Sequence, residues 1–408
     1  MEELKLIPEI RFPEFEEPLA ALKLGDIAKF SKGKGISKAD IVIDGEIECV
    51  RYGELYTHYN EIIEDVLSKT NLPLDELVLS EKNDVIIPAS GETELDIATA
   101  SCVLKSGIAL SSDLNIIKSS ANGVFLAYYL NNAKKLDIAK LSQGISVVHL
   151  YGSQLKTLKL NLPIIEEQQK IANFLTSIDE RIQLLEKKKL RLEEYKKGVM
   201  QKIFSQEVRF KDEKGDNFPD WEEKKLGDVF NGLKGTGLSK DKLSEKGKYK
   251  CVLYGELYTK YKEVITDIFS STDTEEGILS KENDLLVPCS TTTSGIDLAN
   301  VTALKDSNVL IGGDITILRA KKEVDNIFYA YYLSNHKKLE LAKFGQGTTI
   351  VHLYFNHFKA MLIDIPSVKE QQKIAKFLSS IDKNIAQITQ QIEMSKSFKK
   401  GLLQKMFV

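Results

Sequence analysis

EEQQKIANFLTSIDERIQLLEKKKLRLEEYKKGVMQKIFS, residues 166–205, is the stretch around which the rest of the chain is read. It contains no proline and a single glycine. Apolar residues fall at Ile171, Leu175, Ile178, Ile182 and Leu185, then at Leu192, Tyr195, Val199 and Ile203. This 3–4 alternation predicts one apolar stripe on a helix whose remaining surface is charged. At 1.5 Å per residue the helix would be roughly 60 Å long, more than a compact domain needs. A narrow seam of that length asks for a second helix, as in a coiled coil.

The candidate partner is residues 370–408, EQQKIAKFLSSIDKNIAQITQQIEMSKSFKKGLLQKMFV. Its stripe is Ile374, Leu378, Ile381, Ile385, Ile388, Ile392, Phe398, Leu402 and Met406. EQQKIA begins at Glu167 and again at Glu370, 203 residues later, and KKG at Lys196 and Lys399 repeats at the same offset. The repeat extends outward from the helices. KLGDIAKFSKGKGISKADI from Lys23 answers KLGDVFNGLKGTGLSKDKL from Lys225, and CVRYGELYTHYNEII from Cys49 answers CVLYGELYTKYKEVI from Cys251. VLSEKNDVIIPAS from Val78 answers ILSKENDLLVPCS from Ile278, and LAYYLNNAKKLDIAKLSQGISVVHLY from Leu126 answers YAYYLSNHKKLELAKFGQGTTIVHLY from Tyr329.

The expected organisation is a first globular domain over 1–165, a long helix over 166–205, a second domain over 206–369 and a closing helix over 370–408. Each domain reads as α+β. Short strand-like runs (84–89, 97–104, 115–118) lie between Gly, Ser, Asn and Asp clusters. A helix is expected over 123–141, with Phe125, Tyr128, Tyr129, Leu136 and Ala139 on its apolar face. The loop SQGIS (142–146) follows, then a strand that stops at Pro163. The polar segment between Phe204 and Leu226 reads as an entry into the second domain, and IRFPEFEEPLAALK is its shorter counterpart in the first.

With 408 residues, 42% apolar and 28% charged, the chain has the composition of an ordinary globular protein. No apolar run approaches the ~18 residues that span a bilayer, and the acidic N-terminus lacks a signal-peptide core. Cys49, Cys102, Cys251 and Cys289 have no CxxC spacing, which argues for reduced thiols in a cytoplasm. The net charge of −3 does not advertise a nucleic-acid binder, but such a footprint is local. Residues 32–38, KGKGISK, are strongly basic.

Two units that each open with KLGD and close with a proline and an EQQKIA-type helix resemble the specificity subunit of type I restriction-modification systems. The resemblance covers the whole chain. It implies two target-recognition domains, each reading half of a split double-stranded DNA sequence, and two antiparallel helices acting as a ruler between them. It also implies a non-catalytic chain that binds two adenine methyltransferase subunits and, in a restricting assembly, two restriction/translocase subunits. S-adenosylmethionine, ATP and Mg would be bound by those partners and no cofactor by this chain, in the cytoplasm of a bacterium or archaeon. The first unit lacks a counterpart of Trp221. The pseudo-dyad repeat suits spaced half-sites independently of the resemblance.

Candidate DNA contacts follow from residue chemistry. Lys32, Lys34 and Lys38, with Lys234 and Lys240, lie in glycine-bearing basic loops suited to phosphate, or are solvated turns. Neither loop is a nucleotide P-loop. YGELYT supplies Tyr52, Glu54, Tyr56 and Thr57, and again Tyr254, Glu256, Tyr258 and Thr259. A glutamate can accept from cytosine N4, and tyrosine can stack or meet phosphate. Its identity in both copies equally suits a structural strand-turn. Arg51, against Leu253 in the second copy, is a candidate discriminating position. SGETELD (90–96) and STTTSGID (290–297) differ between copies as base-reading loops should, offering Ser90, Glu92 and Thr93, then Ser290, Thr291 and Thr292. Gln143 and Gln346, on glycine-flanked loops with Thr348, could pair with adenine N6 and N7. His149 and His352, among apolar neighbours, are expected to be buried.

Catalytic signatures are missing. There is no [DN]PP[YF] and no HExxH, and Pro219-Asp220 stands too close to Glu222 and Lys224 for a nuclease strand pair. The rival reading is a structural adaptor with two protein-binding modules on a helical rod.

Overall fold

The computed structural model describes residues 7–144 and 147–408. Ile145 and Ser146 of the SQGIS loop, and the first six residues of the expected first domain, lie outside them. The two long helices run from Ile165 to Phe204 and from Val368 to Met406. Glu166, Glu167 and Glu370 occupy their first turns, where the helix dipole favours negative charge. The chain forms two compact units, Met1–Glu186 with Gln390–Val408, and Lys187–Thr389. Each unit thus contains one globular domain, the opening part of the helix that follows it and the closing part of the other helix.

In the first unit the central sheet has five strands, in the order Ala28–Lys32, Leu114–Ser119, Asp84–Pro88, Ser101–Val103 and Ile62–Ile63. Neighbours are antiparallel except the last pair, which is parallel. Every residue of Asp84–Pro88 is buried, because the sheet is covered on both faces. Val85 and Ile87 join the core that contains the helix Gly123–Asn132, while Ile86 joins Val50, Leu55 and Leu110 on the other side. A three-stranded sheet of Ser68–Thr70, Ile47–Val50 and Ala109–Leu110 lies next to this second core. The second unit repeats the five-stranded order with Phe230–Lys234, Ile315–Ala320, Asp284–Pro288, Thr302–Leu304 and Val264–Ile265.

Two local expectations change. The helix expected over 123–141 is two helices, Gly123–Asn132 and Lys135–Leu141, and Leu136 points to solvent. The run 97–104 starts as the end of a short helix, Glu94–Ile97, capped by the Thr93 side chain, and only Ser101–Val103 is strand.

The helix seams carry the domain cores. In the first unit Ile171, Leu175, Ile178 and Ile182 share a core with Leu402, Met406 and Phe407. Phe407 lies edge-on to Phe125 and Tyr129, both at 5.7 Å. In the second unit Ile374, Leu378, Ile381 and Ile385 meet Met200, Ile203 and Phe204. Phe204 lies edge-on to Phe328 and Tyr332. Asp179 meets Lys399 and Glu186 meets Lys396, so the two helix segments of the first unit run antiparallel.

Tyr195 and Phe398, expected in the seam, are instead 54% and 58% exposed. The next residues, Lys196 and Lys399, turn inward. A spacing of three or four serves a helix seam equally well, so the apolar pattern alone could not choose between neighbours. Lys399 Nζ lies 2.8 Å from Asp179, 3.3 Å from Glu61 and 5.1 Å from the centre of the Tyr128 ring. Lys196 Nζ lies 2.8 Å from Asp382, 3.4 Å from Glu263 and 4.9 Å from the Tyr331 ring centre. Tyr128 and Tyr331 donate their hydroxyls to Asp179 and Asp382, each at 2.5 Å. Burial, and then the adjacent aspartate, push both phenols far above the ordinary tyrosine value.

The opening segments are fastened alike. Arg11 donates to Glu167 at 2.7–2.8 Å, and Arg209 to Glu370 at 2.9–3.1 Å. Trp221, unmatched in the first unit, adds an indole donor to Glu370 and packs edge-on to Phe328.

Candidate nucleic-acid interface

The basic loops leave the ends of the strands Ala28–Lys32 and Phe230–Lys234, and Lys32, Lys34, Lys38, Lys234 and Lys240 are all exposed. Their first glycines are required by the packing of the protein itself. A Cβ on Gly33 would sit 2.0 Å from the Ser111 carbonyl oxygen, and one on Gly235 equally close to the Gly312 carbonyl oxygen. The next glycines, Gly35 and Gly237, have φ of +61° and +63°, a conformation open to glycine at no steric cost.

YGELYT is a short helix with its leading turn, not a strand-turn. Glu54 and Glu256 are buried, so the role of accepting from cytosine is not what their placement supports. Glu54 accepts from the Arg51 backbone and guanidinium and from Ser68 Oγ at 2.6 Å. Glu256 accepts from the Leu253 backbone and from Ser270 Oγ, also at 2.6 Å. Arg51 is likewise engaged, 2.8 Å from Glu54. Where the second domain has Leu253, Lys260 supplies the cation at 2.9 Å from Glu256. The Arg51–Leu253 difference is thus compensated within the fold. Thr57 and Thr259 bond back to the carbonyls of Gly53 and Gly255. The tyrosines are partly open. Tyr52 and Tyr56 are half-buried, Tyr254 is exposed, and Tyr254 and Tyr258 lie 6.4 Å apart. Burial, then neighbouring Tyr52, Glu92 and Asp96, raise the Tyr56 phenol. In the second unit a cleft of about 720 Å³ brings Lys240 together with Tyr254 and Thr259.

The loops that differ between copies divide in two. Ser90, Ser290 and Thr291 are buried strand residues, and Ser290 Oγ donates to Asp314. Glu92, Thr93 and Thr292 are exposed, although Thr93 also caps the following helix. The strand Ser90–Gly91 pairs with Val148–His149, and Ser290–Thr291 with Val351–His352. Gln143 and His149 exchange backbone hydrogen bonds of 2.9 and 2.8 Å, and Gln346 and His352 do the same. Gly144 closes this turn, where a Cβ would meet the Val147 carbonyl at 2.0 Å. The side chains of Gln143, Gln346 and Thr348 are exposed.

The expectation of buried histidines is corrected here. Val148 and Leu150 are buried while His149 and Tyr151 are exposed, the period of two expected of a strand. His352 and Tyr354 are half-buried. His149 stacks on Tyr151 at 6.2 Å and 16°, and His352 on Tyr354 at 5.5 Å and 13°. Lys32 Nζ stands 5.3 Å from the centre of the Tyr151 ring, and Lys234 Nζ 5.2 Å from that of Tyr354. The basic loop, the glutamine turn and the variable loop are therefore joined in each domain through a histidine–tyrosine pair. That pair was legible in the alternation of VHLY.

The four cysteines are buried and free. Burial pushes the Cys102 thiol up to about 12 and the other three to about 11, which suits packing and not chemistry.

Comparison with known proteins agrees with this architecture. The family model of the type I restriction modification DNA specificity domain matches twice, over residues 17–194 and 219–394. The MjaVIII type I restriction enzyme specificity subunit of Methanocaldococcus jannaschii is 25% identical over 414 residues, covering 97% of this chain and 93% of that protein. The MjaIX specificity subunit of the same organism is 22% identical and covers 68% and 67%. The crystal structure of a type I restriction-modification S subunit from M. genitalium has a TM-score of 0.64 at 17% identity, covering 99% of both chains. The double family match decides between a recognition subunit and an adaptor. With two copies of the family domain making up most of its length, the chain belongs to the specificity subunits of type I restriction-modification systems, their non-catalytic DNA-recognition components.

Proposed function

We propose that this subunit reads a two-part DNA sequence, one half with each globular domain, and carries two copies of one methyltransferase subunit. The observation that carries the reading is the band of exposed lysine and glutamine with exposed or half-buried tyrosine and histidine, built on the same framework in both domains beside loops that differ. Equivalent surfaces with different neighbours suit two targets of the same kind and different sequence. The length of the paired helices would set the number of base pairs between the halves.

A partner bound twice must meet the same surface twice. Tyr195, Gly198 and Gln201 recur 203 residues later as Phe398, Gly401 and Gln404. Both aromatic residues are exposed, and a methyl group on either glycine would meet nothing among the described residues. Glycine inside a helix costs about 0.5–1 kcal/mol relative to alanine, so close approach of a partner is a reason for it that the isolated chain lacks. Methyl transfer with S-adenosylmethionine belongs on those partners. ATP- and Mg-dependent steps belong on restriction subunits where an assembly has them, in the cytoplasm of the host cell.

Selection of bound duplexes from a random library by the assembled methyltransferase complex is expected to return two short fixed elements at constant separation. One uninterrupted element would contradict the reading. Gln143→Ala is expected to relax only the element read by the first domain. Equal weakening on every sequence would make Gln143 a backbone contact or a structural residue.

A further inference from the structure

The histidine–tyrosine–lysine arrangement brings separate segments of the chain into one stack, and does so in both domains. Its three residues are the same in both domains, at offsets of 202 for the lysines and 203 for the histidines and tyrosines. Its geometry is also the same, with ring tilts of 16° and 13° and lysine-to-ring distances of 5.3 and 5.2 Å. Around it the exposed residues change. Lys34 becomes Thr236, and Glu92-Thr93-Glu94 gives way to Thr292-Thr293-Ser294. Among the described residues, no carboxylate lies within ion-pair distance of Lys32 or Lys234, whereas Lys196 and Lys399 at the helix seams each meet two. The fold therefore keeps an exposed cation over an aromatic ring twice without using its charge internally.

Residues identical in two domains cannot by themselves distinguish two different half-sites. The sugar-phosphate backbone, by contrast, is the same at every half-site, and Lys and Tyr side chains are among its usual contacts. We infer that Lys32, His149 and Tyr151, and in the second domain Lys234, His352 and Tyr354, form a phosphate-gripping column that holds the DNA backbone alike at both half-sites, leaving discrimination to the exposed residues that differ. The inference rests on the two-half-site reading proposed above. In the column the lysine supplies the charge and the tyrosine face fixes the position of its ammonium group. The backbone bridge between Gln143 and His149 fixes the histidine beside the base-reading turn. The phosphate contact and the base contact would thus be registered against each other by two hydrogen bonds.

The test measures DNA affinity of the assembled complex across a salt series, for the cognate duplex and for duplexes altered in either half. Lys32→Gln and Lys234→Gln remove exposed side chains, so folding is preserved, and thermal melting checks this. Each is expected to weaken binding on all duplexes by the same factor and to reduce the slope of log K against log salt by about one. The double variant should reduce it by about two, and Lys82→Gln, an exposed lysine outside the column, should leave it unchanged. Tyr151→Leu, which removes the ring under the lysine, should reproduce part of the Lys32→Gln loss. An unchanged slope in either lysine variant, or loss of discrimination confined to one base pair, would overturn the inference. If the unaltered complex shows no preference for a two-part sequence, the reading beneath it fails instead.

Discussion

Lys196, which is buried, and Lys399, which is half-buried, show how an inward-turned charge can specify a structure. Each reaches a carboxylate on the other long helix, a second carboxylate on the globular domain and a tyrosine face, all inside one unit. Replacing Lys196 by methionine leaves Asp382 and Glu263 without their cation, which costs about 3 kcal/mol when a buried pair is broken. Chemical denaturation should therefore show a loss of that size in Lys196→Met, and an equivalent loss in Lys399→Met. The cluster also sets a pH dependence. Burial, the largest single influence, pushes Glu263 up, but the Lys196 charge and hydrogen bonds from Asn335 and Lys196 together hold it below its usual value. A carboxylate depressed in the folded state stabilises fully above its unfolded pKa, and that contribution is lost as pH falls through the folded value. The stability difference between the wild-type chain and Glu263→Gln should thus be full at pH 7 and shrink below about pH 4. A difference that stays constant between pH 7 and pH 3 would count against this account. The sequence showed both lysines and both aspartates at the repeat offset, yet as charges on helices already rich in charge. What identifies them is the facing partner, which one helix's periodicity does not contain. His149 departs from the expected burial for a simpler reason: on a strand, apolar neighbours place the residue between them on the opposite face.

The long helices were the most legible elements, since some forty residues of uninterrupted period leave few alternatives. Their ends repeat closely and their middles do not, because the ends pack against the domain cores while residues 183–195 and 386–398 face fewer constraints. Asp179 and Lys196 lie 17 residues apart, as do Asp382 and Lys399. A four-residue insertion after Lys188 alone would mismatch these spacings. Matching insertions after Lys188 and Gln391 keep them equal and add one turn of about 5.4 Å to each helix. The altered complex should then prefer a longer spacer with both half-site sequences unchanged, and an unchanged spacer would refute the ruler role. Gly198→Ala carries a prediction of opposite signs. It should stabilise the free chain by about 0.5–1 kcal/mol while weakening capture of methyltransferase subunits, read by native mass measurement. Stabilisation with undiminished capture would remove that glycine from the docking surface. Short elements were less legible. YGELYT carried no periodicity long enough to separate a helical turn from a strand-turn, and the role of its glutamate depends on Ser68 and Ser270, distant in sequence.

At the scale of the molecule, duplication is the organising fact. The repeat spans both domains and both helices, the family match falls once on each copy, and each compact unit draws helix from both ends of the duplication. A chain built in this way has two equivalent faces to offer, and a recognition subunit is defined by what they select. The most direct test is single-molecule sequencing of adenine methylation in cells that carry the gene and in cells from which it has been deleted. Deletion is expected to abolish methylation at one motif composed of two short elements with a fixed gap, and return of the gene to restore it. Methylation that is unchanged on deletion, in cells whose companion methyltransferase is expressed and active, would contradict it.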